Sequence, residues 1–271
     1  MNKFLLIFFK SFFIMILFFS NVNAKNYKVD DIVKDKLIIN KKFQIKLPKG
    51  EWIVAESHAE NYYGLNSKII TIIKLNKKRI VEIIEIAQMI TAGVYEAWVN
   101  DAINEAMFKG KYDGCYERPE YTVVKFYAKG NTHNCFVIHH TDVKKELNNP
   151  DDPYLRNKNS KLKKWIKENK VELPNVTLTS NHSYFSRLAA GKWYLISFSI
   201  DPEILNAPKN KYINEELSEY NKNNIENYPK HKEVMNKWIS ISAQRHIEFE
   251  KSIKVINRHK LNFEDFNLSN F

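Results

Sequence analysis

Lys68-Ile-Ile-Thr-Ile-Ile-Lys-Leu75-Asn-Lys-Lys-Arg79-Ile-Val-Glu-Ile-Ile-Glu-Ile-Ala87 is two isoleucine-rich arms around a polar Asn76-Lys77-Lys78 break. β-Branched runs on both sides of a short polar turn predict a β-hairpin, with Glu82 and Glu85 near exposed positions of the second arm. The same signal extends in both directions. Upstream, Phe43-Gln-Ile45-Lys-Leu47 alternates apolar and polar residues, Pro48-Lys-Gly50 is a turn, and Trp52-Ile-Val-Ala55 resumes as a strand. Downstream, residues 121–128 and 134–141 form a second hairpin through Lys129-Gly130-Asn131. Residues 176–188 and 193–200 form a third through Ala189-Ala190-Gly191, with Tyr194, Ile196, Phe198 and Ile200 on one face.

Three segments change period from two to helical spacing. Residues 95–109 place Trp98, Ala102, Ile103, Ala106 and Met107 on one stripe, with Thr91 able to cap the start and Gly110 where a helix stops. Asp152 and Pro153 mark a second entry, and that helix runs to Asn169 with Leu162, Trp165 and Ile166 inward. Lys158, Lys161, Lys163, Lys164 and Lys167 lie elsewhere on it, so its outer surface is cationic. Residues 229–256 form a long last helix whose stripe is Met235, Ile239, Ser242, His246, Phe249, Ile253 and Ile256. A seam so regular could join two chains, but covering one side of an antiparallel sheet asks for the same pattern. Packing on the sheet within a monomer is the preferred reading. The expected fold is therefore α+β: an antiparallel β-meander sheet of about six to eight strands covered by amphipathic helices, in a single domain over residues 25–271.

Residues 1–24 read as a cleaved secretory signal peptide. Lys3 and Lys10 supply a positive front, residues 12–19 an apolar core, and Val22-Asn23-Ala24 the small-residue form of a cleavage site. An uncleaved anchor needs roughly 20 apolar residues to cross a bilayer, and this run is shorter and interrupted by Lys10. The expected address is periplasmic or secreted. There, a lone cysteine pair, Cys115 and Cys135, forms a disulfide.

The formal charge is +11, and of 42 basic residues only six are arginine. A basic balance suits anionic partners. Export and the scarcity of Arg, whose planar fork reads phosphates and base edges, argue against nucleic acid.

The densest polar cluster is His133-Asn134-Cys135 with His139-His140-Thr141-Asp142. On a strand, His133, Cys135 and His139 share one face, while His140 and Asp142 take the other. The first set has ligand types that suit zinc or copper, but a disulfide consumes Cys135 and no zinc spacing is present. No metal and no cofactor are expected. His140 and Asp142, two residues apart, could pair for acid–base work with a nucleophile from Ser180, Ser183 or Ser186. No Gly-x-Ser-x-Gly elbow surrounds these serines, and phosphate loops, Cys-x-x-Cys, calcium loops and His-Glu-x-x-His are absent from the sequence.

Residues 179–187 are the most polar strand-like run. The preferred reading is an edge or half-exposed strand; a central strand would instead bury a hydrogen-bonded network beneath a helix and make His182 and Tyr184 its focus. His246, inside the apolar seam of the last helix, reads as a satisfied core residue. The candidate binding residues are His139, His140, Asp142, His182, Tyr184 and Arg187, with Lys161, Lys163, Lys164 and Lys167 as a cationic surface. The expectation is a non-catalytic envelope binding or accessory domain contacting an envelope protein, an anionic polymer or a small ligand. The alternative is an exported hydrolase or small-ligand-binding protein that uses residues 139–142 and 180–187.

Overall fold

The computed structural model describes residues 26–40, 43–62, 65–90, 115, 117–129, 132–143, 158–186, 192–209, 214–257, 260–263 and 265–269. In chain order the elements are β1 (Ile32–Val33), β2 (Lys36–Asn40), β3 (Phe43–Lys46), β4 (Trp52–Tyr62), β5 (Leu65–Asn76), β6 (Arg79–Ile90), β7 (Tyr121–Lys129), β8 (Thr132–Thr141), α1 (Lys158–Glu168), β9 (Thr177–Ser186), β10 (Lys192–Ile200), α2 (Pro229–Ser252), β11 (Ile253–Asn257), β12 (Lys260–Phe263) and β13 (Phe266–Asn267). The fold is mostly β within the α+β class. The helix expected over residues 95–109 and the cap at Asp152 and Pro153 lie outside the described residues.

Eight strands form one antiparallel sheet in the order β1-β4-β5-β6-β10-β9-β8-β7. All three expected hairpins are present, and β5 turns into β6 at Lys77, whose φ of 56° lets two residues reverse the chain. The order departs from a simple meander. β6 pairs with β10 rather than with β7, so two short meanders meet back to back and β7 lies at the far edge. The connection over residues 91–120 is long enough to carry the chain to that edge, and pattern alone does not say which strand closes the gap.

Consecutive side chains alternate between the two faces. On the first face Trp52, Val54, Ile70, Ile72, Ile84, Ile86, Phe198 and Ile196 join Phe136 and Ile138 in the main core. The buried stripe of α2, with Val234, Met235, Trp238, Ser242, His246 and Phe249, covers them. A three-stranded sheet, β13-β3-β2, completes that layer with Leu37, Phe43, Ile45 and Phe266. Tight turns hold this layer in place. Gly50 sits at φ +129° with Lys74 so close that a Cβ there would lie 3.0 Å from its Cε, and the Lys74 ammonium lies over the Trp52 ring at 5.5 Å.

α2 ends at Ser252, four residues before the expected boundary, and the chain continues as β11 to β13 rather than ending in the helix. Ile253 has extended backbone geometry, φ −87° and ψ 114°, and pairs with Phe263. Two isoleucines of the predicted stripe, Ile253 and Ile256, are therefore strand residues. β-Branched side chains favour that exchange.

On the second face α1 packs Trp165 and Ile166 against Ala55, Ile73 and Ile80, with Leu162 half-buried beside them. Cys115 and Cys135 are joined, with Cα atoms 6.0 Å apart. No helix among the described residues is long and apolar enough to cross a membrane.

Candidate functional site

β9 lies between β8 and β10 inside the sheet, which overturns the edge reading for residues 179–186; Arg187 lies outside the described residues. β8 and β10 flank it on both sides, and Ser180 and His182 are both 0 % exposed. Their face is the one that α2 covers. His182 Nδ1 lies 3.1 Å from His246 Nδ1, and His182 Nε2 lies 3.2 Å from Ser180 Oγ. His246 Nε2 is 3.7 Å from Glu250 Oε1, one turn further along α2. That carboxylate also accepts from Asn134 Nδ2 and Lys125 Nζ, each at 2.5 Å.

One set of tautomers serves the chain as far as His246 Nδ1. The Ser180 hydroxyl donates to His182 Nε2, His182 Nδ1–H donates to His246 Nδ1, and His246 Nε2–H points at Glu250. Phe136 stacks on both imidazoles, with ring centroids 4.8 Å away in each case. Burial pushes both imidazoles well below the ordinary histidine range; the neighbouring His246 and Arg245 lower His182 further, whereas for His246 the Glu250 carboxylate opposes the effect of burial and Lys125 adds to it. Arg245 is itself buried, spread over Phe198 and Trp238 at 4.8 and 5.3 Å, and desolvation lowers it to about 10.

Chemically, this chain holds protons in place and fixes the register of α2 on the sheet. A hydrolytic serine needs a substrate beside its oxygen and a group that stabilises imidazolium. Ser180 is sealed, and the second nitrogen of its histidine meets a neutral imidazole rather than a carboxylate. His246 is a core residue as expected, but only half satisfied: its Nδ1 meets His182, while its buried Nε2 has no hydrogen-bond partner among the described residues, Glu250 standing 3.7 Å away.

The remaining candidates divide between faces. His139 and His140 are consecutive on β8 and point to opposite sides. His139 accepts from Asn181 Nδ2 at 3.1 Å and donates from Nδ1 to Thr141 Oγ1 at 3.0 Å. Desolvation, then the neighbouring His140 and Arg118, lowers its pKa to about 3. His140 Nε2 donates to the Glu215 carbonyl at 3.4 Å beside Tyr220, and burial lowers it to about 4. Asp142 is half-buried past the end of β8, and Tyr184 is buried in register with Tyr194, whose hydroxyl takes a 2.6 Å bond from Gln88. Arg187 lies outside the described residues, as does the side chain of His133. Among the described residues no three His, Cys, Asp or Glu side chains gather as a ligand set.

Reading the sequence missed the polar row of the second face. Glu56, Thr71, Glu85, Ser197 and Asn181 stand opposite one another across five neighbouring strands. Glu56 and Thr71 are 0 % exposed, with the Thr71 hydroxyl 3.5 Å and His58 Nδ1 3.3 Å from the Glu56 carboxylate. Strand alternation places these residues on the side away from the main core, the side that in a one-sided sheet faces water. Only the register aligns them.

Open relief lies at one end of the sheet. A polar groove of about 840 Å³ runs along the β5–β6 turn past Lys77, Lys78, Arg79, Glu172, Asp201 and Asn206. Arg79 bonds Asp201 at 2.7 Å and Glu203 at 2.9 Å, which raises its pKa through the Asp201 hydrogen bond. A second groove, of about 240 Å³, lies on the other side of Lys78 against α1. Lys161, Lys163, Lys164 and Lys167 are exposed on that helix. No family model, no curated protein and no solved structure matches this chain.

Proposed function

We propose that this chain is an exported, non-catalytic binding or accessory domain of the cell envelope, with its contact at the α1 end of the sheet. The observation that carries the reading is the contrast between its two polar regions. The Ser180–His182 chain is closed beneath α2, whereas the grooves beside Lys78 and the lysines of α1 are open to solvent. Chemistry needs access, and binding needs an exposed surface. The Cys115–Cys135 bond suits an oxidising compartment, in keeping with the signal-like N-terminus.

The test is cosedimentation of the processed chain, residues 25–271, with isolated cell envelopes. Wild type is expected in the pellet, and the fourfold reversal Lys161→Glu, Lys163→Glu, Lys164→Glu, Lys167→Glu in the supernatant. Equal partition of the two proteins rejects the surface. Ester or peptide hydrolysis abolished by Ser180→Ala would reject the non-catalytic assignment.

A further inference from the structure

We infer that the α1 end of the sheet docks on an anionic lipid bilayer; this names the partner of the binding surface above and rests on that reading. The lysines of α1 and those of the β5–β6 turn belong to one surface, because the exit of α1 is stitched to the turn. Glu172 N donates to the Lys78 carbonyl at 2.8 Å, and Ile80 N donates to the Glu172 carbonyl at 3.0 Å. Lys77, Lys78 and Lys170 thereby join Lys161, Lys163, Lys164 and Lys167, all of them exposed. The acids nearby are partly engaged. Glu168 faces Lys164 at 3.8 Å, and Asp30 accepts the Trp165 indole N–H at 2.6 Å. With Lys28 and Asp31 beside Val29 and Ile32, Glu172, and the Arg79, Asp201 and Glu203 of the adjoining groove counted as well, nine basic side chains face six acidic ones, an excess of three.

The apolar component selects the partner. Beside these lysines, the smaller groove is lined by Ile32, Ile53, Leu75, Trp165 and Val171, with Lys78 at its rim. Ile32, on the short edge strand β1, is 57 % exposed, and Val29 just before it is 45 % exposed. An acidic polysaccharide or a nucleic acid would reward the lysines but gain nothing from two bare aliphatic side chains next to an apolar groove. A bilayer uses both: ammonium groups sit among headgroup phosphates while Ile32 and Val29 enter the acyl boundary, the combination of charge and apolar burial that stable peripheral binding requires. Lysine serves here where arginine is scarce, because a headgroup layer needs mobile point charges on long apolar stems rather than a planar fork.

The experiment is vesicle flotation of the processed chain with phosphatidylglycerol-containing vesicles, with pure phosphatidylcholine vesicles, and with heparin beads as an acidic-polymer probe. Binding to the anionic vesicles alone, weakened by salt, is expected. Each lysine near an anionic surface is worth about a fivefold change in affinity, so Lys77→Ser with Lys78→Ser should lower partition roughly 25-fold. Ile32→Ser with Val29→Ser should lower it about tenfold without weakening heparin binding, since the charges remain. All four side chains are exposed, and unchanged circular dichroism and thermal midpoints will show that the variants fold. Heparin binding without vesicle binding, or vesicle binding indifferent to Ile32 and Val29, overturns the inference. If wild type sediments with envelopes in the lysine-dependent manner described above but does not float with vesicles, the lipid assignment fails and the envelope-binding reading stands. If it does neither, both fail.

Discussion

Acidification from about pH 8 to about pH 5 should cost this fold about 6 kcal/mol through its buried histidines. In the unfolded chain an imidazole titrates near 6.5. In the folded chain His140 is lowered to about 4 and His139 to about 3, both mainly by desolvation, and His182 and His246 are lowered as a pair. Below about pH 6.5 the unfolded state therefore holds more protons than the folded one, and stability falls with pH. The stabilisation is complete above the unfolded value and drains away as the pH drops toward the folded values. At about pH 5 each neutral buried imidazole accounts for about 2 kcal/mol; His139, His140 and one proton on the His182–His246 pair give the total. Set against a typical stability of roughly 5–15 kcal/mol, that is a large fraction. Urea unfolding followed by tryptophan fluorescence should show a midpoint lower by about 2 M or more at the acid end. His140→Leu should remove about a third of the pH dependence. A stability that changes by less than about 1 kcal/mol over this range, or a dependence that His140→Leu leaves intact, would refute the argument that these imidazoles are held neutral by burial.

Reducing Cys115–Cys135, which spans 20 residues, should destabilise the fold by about 3 kcal/mol on the chain-entropy account; urea titrations with and without a thiol reductant measure it. Phe249→Ala removes a fully buried ring that touches His182, His246 and Phe266, with an expected loss of about 3–5 kcal/mol in thermal or urea unfolding. Asp201→Ala deletes a side chain 3 % exposed that accepts from Arg79 Nε and caps Glu203 N at 3.1 Å; a loss of about 2 kcal/mol is expected, and Asn at this position should recover the cap but not the ion pair.

Local pattern carried much of this architecture. Alternation with short polar breaks marked β5–β6, β7–β8 and β9–β10 because side-chain period and turn chemistry are properties of neighbouring residues. The stripe on α2 and the inward Leu162, Trp165 and Ile166 of α1 were legible for the same reason, as was the disulfide, since only one pairing of two cysteines exists. The end of α2 was not: Ile253 and Ile256 fit a helical stripe and a strand equally well, and pairing with β12 decided between them.

What the sequence determined by itself, then, was the set of hairpins and amphipathic helices, the cationic side of α1 and the histidines as candidates, all of them consequences of spacing along one segment. Tertiary structure alone decided that β8 and β10 flank β9, that α2 covers it, and that β10 closes on β6. The first two make Ser180 and His182 a sealed network with His246 rather than an exposed polar strand. The third aligns Glu56, Thr71, Glu85, Ser197 and Asn181 across the sheet and brings together one face from both meanders for α2 to cover. Each such pairing depends on which distant strand supplies the neighbouring backbone hydrogen bonds, and loop-closure entropy changes too slowly with loop length for the sequence between two strands to name that partner.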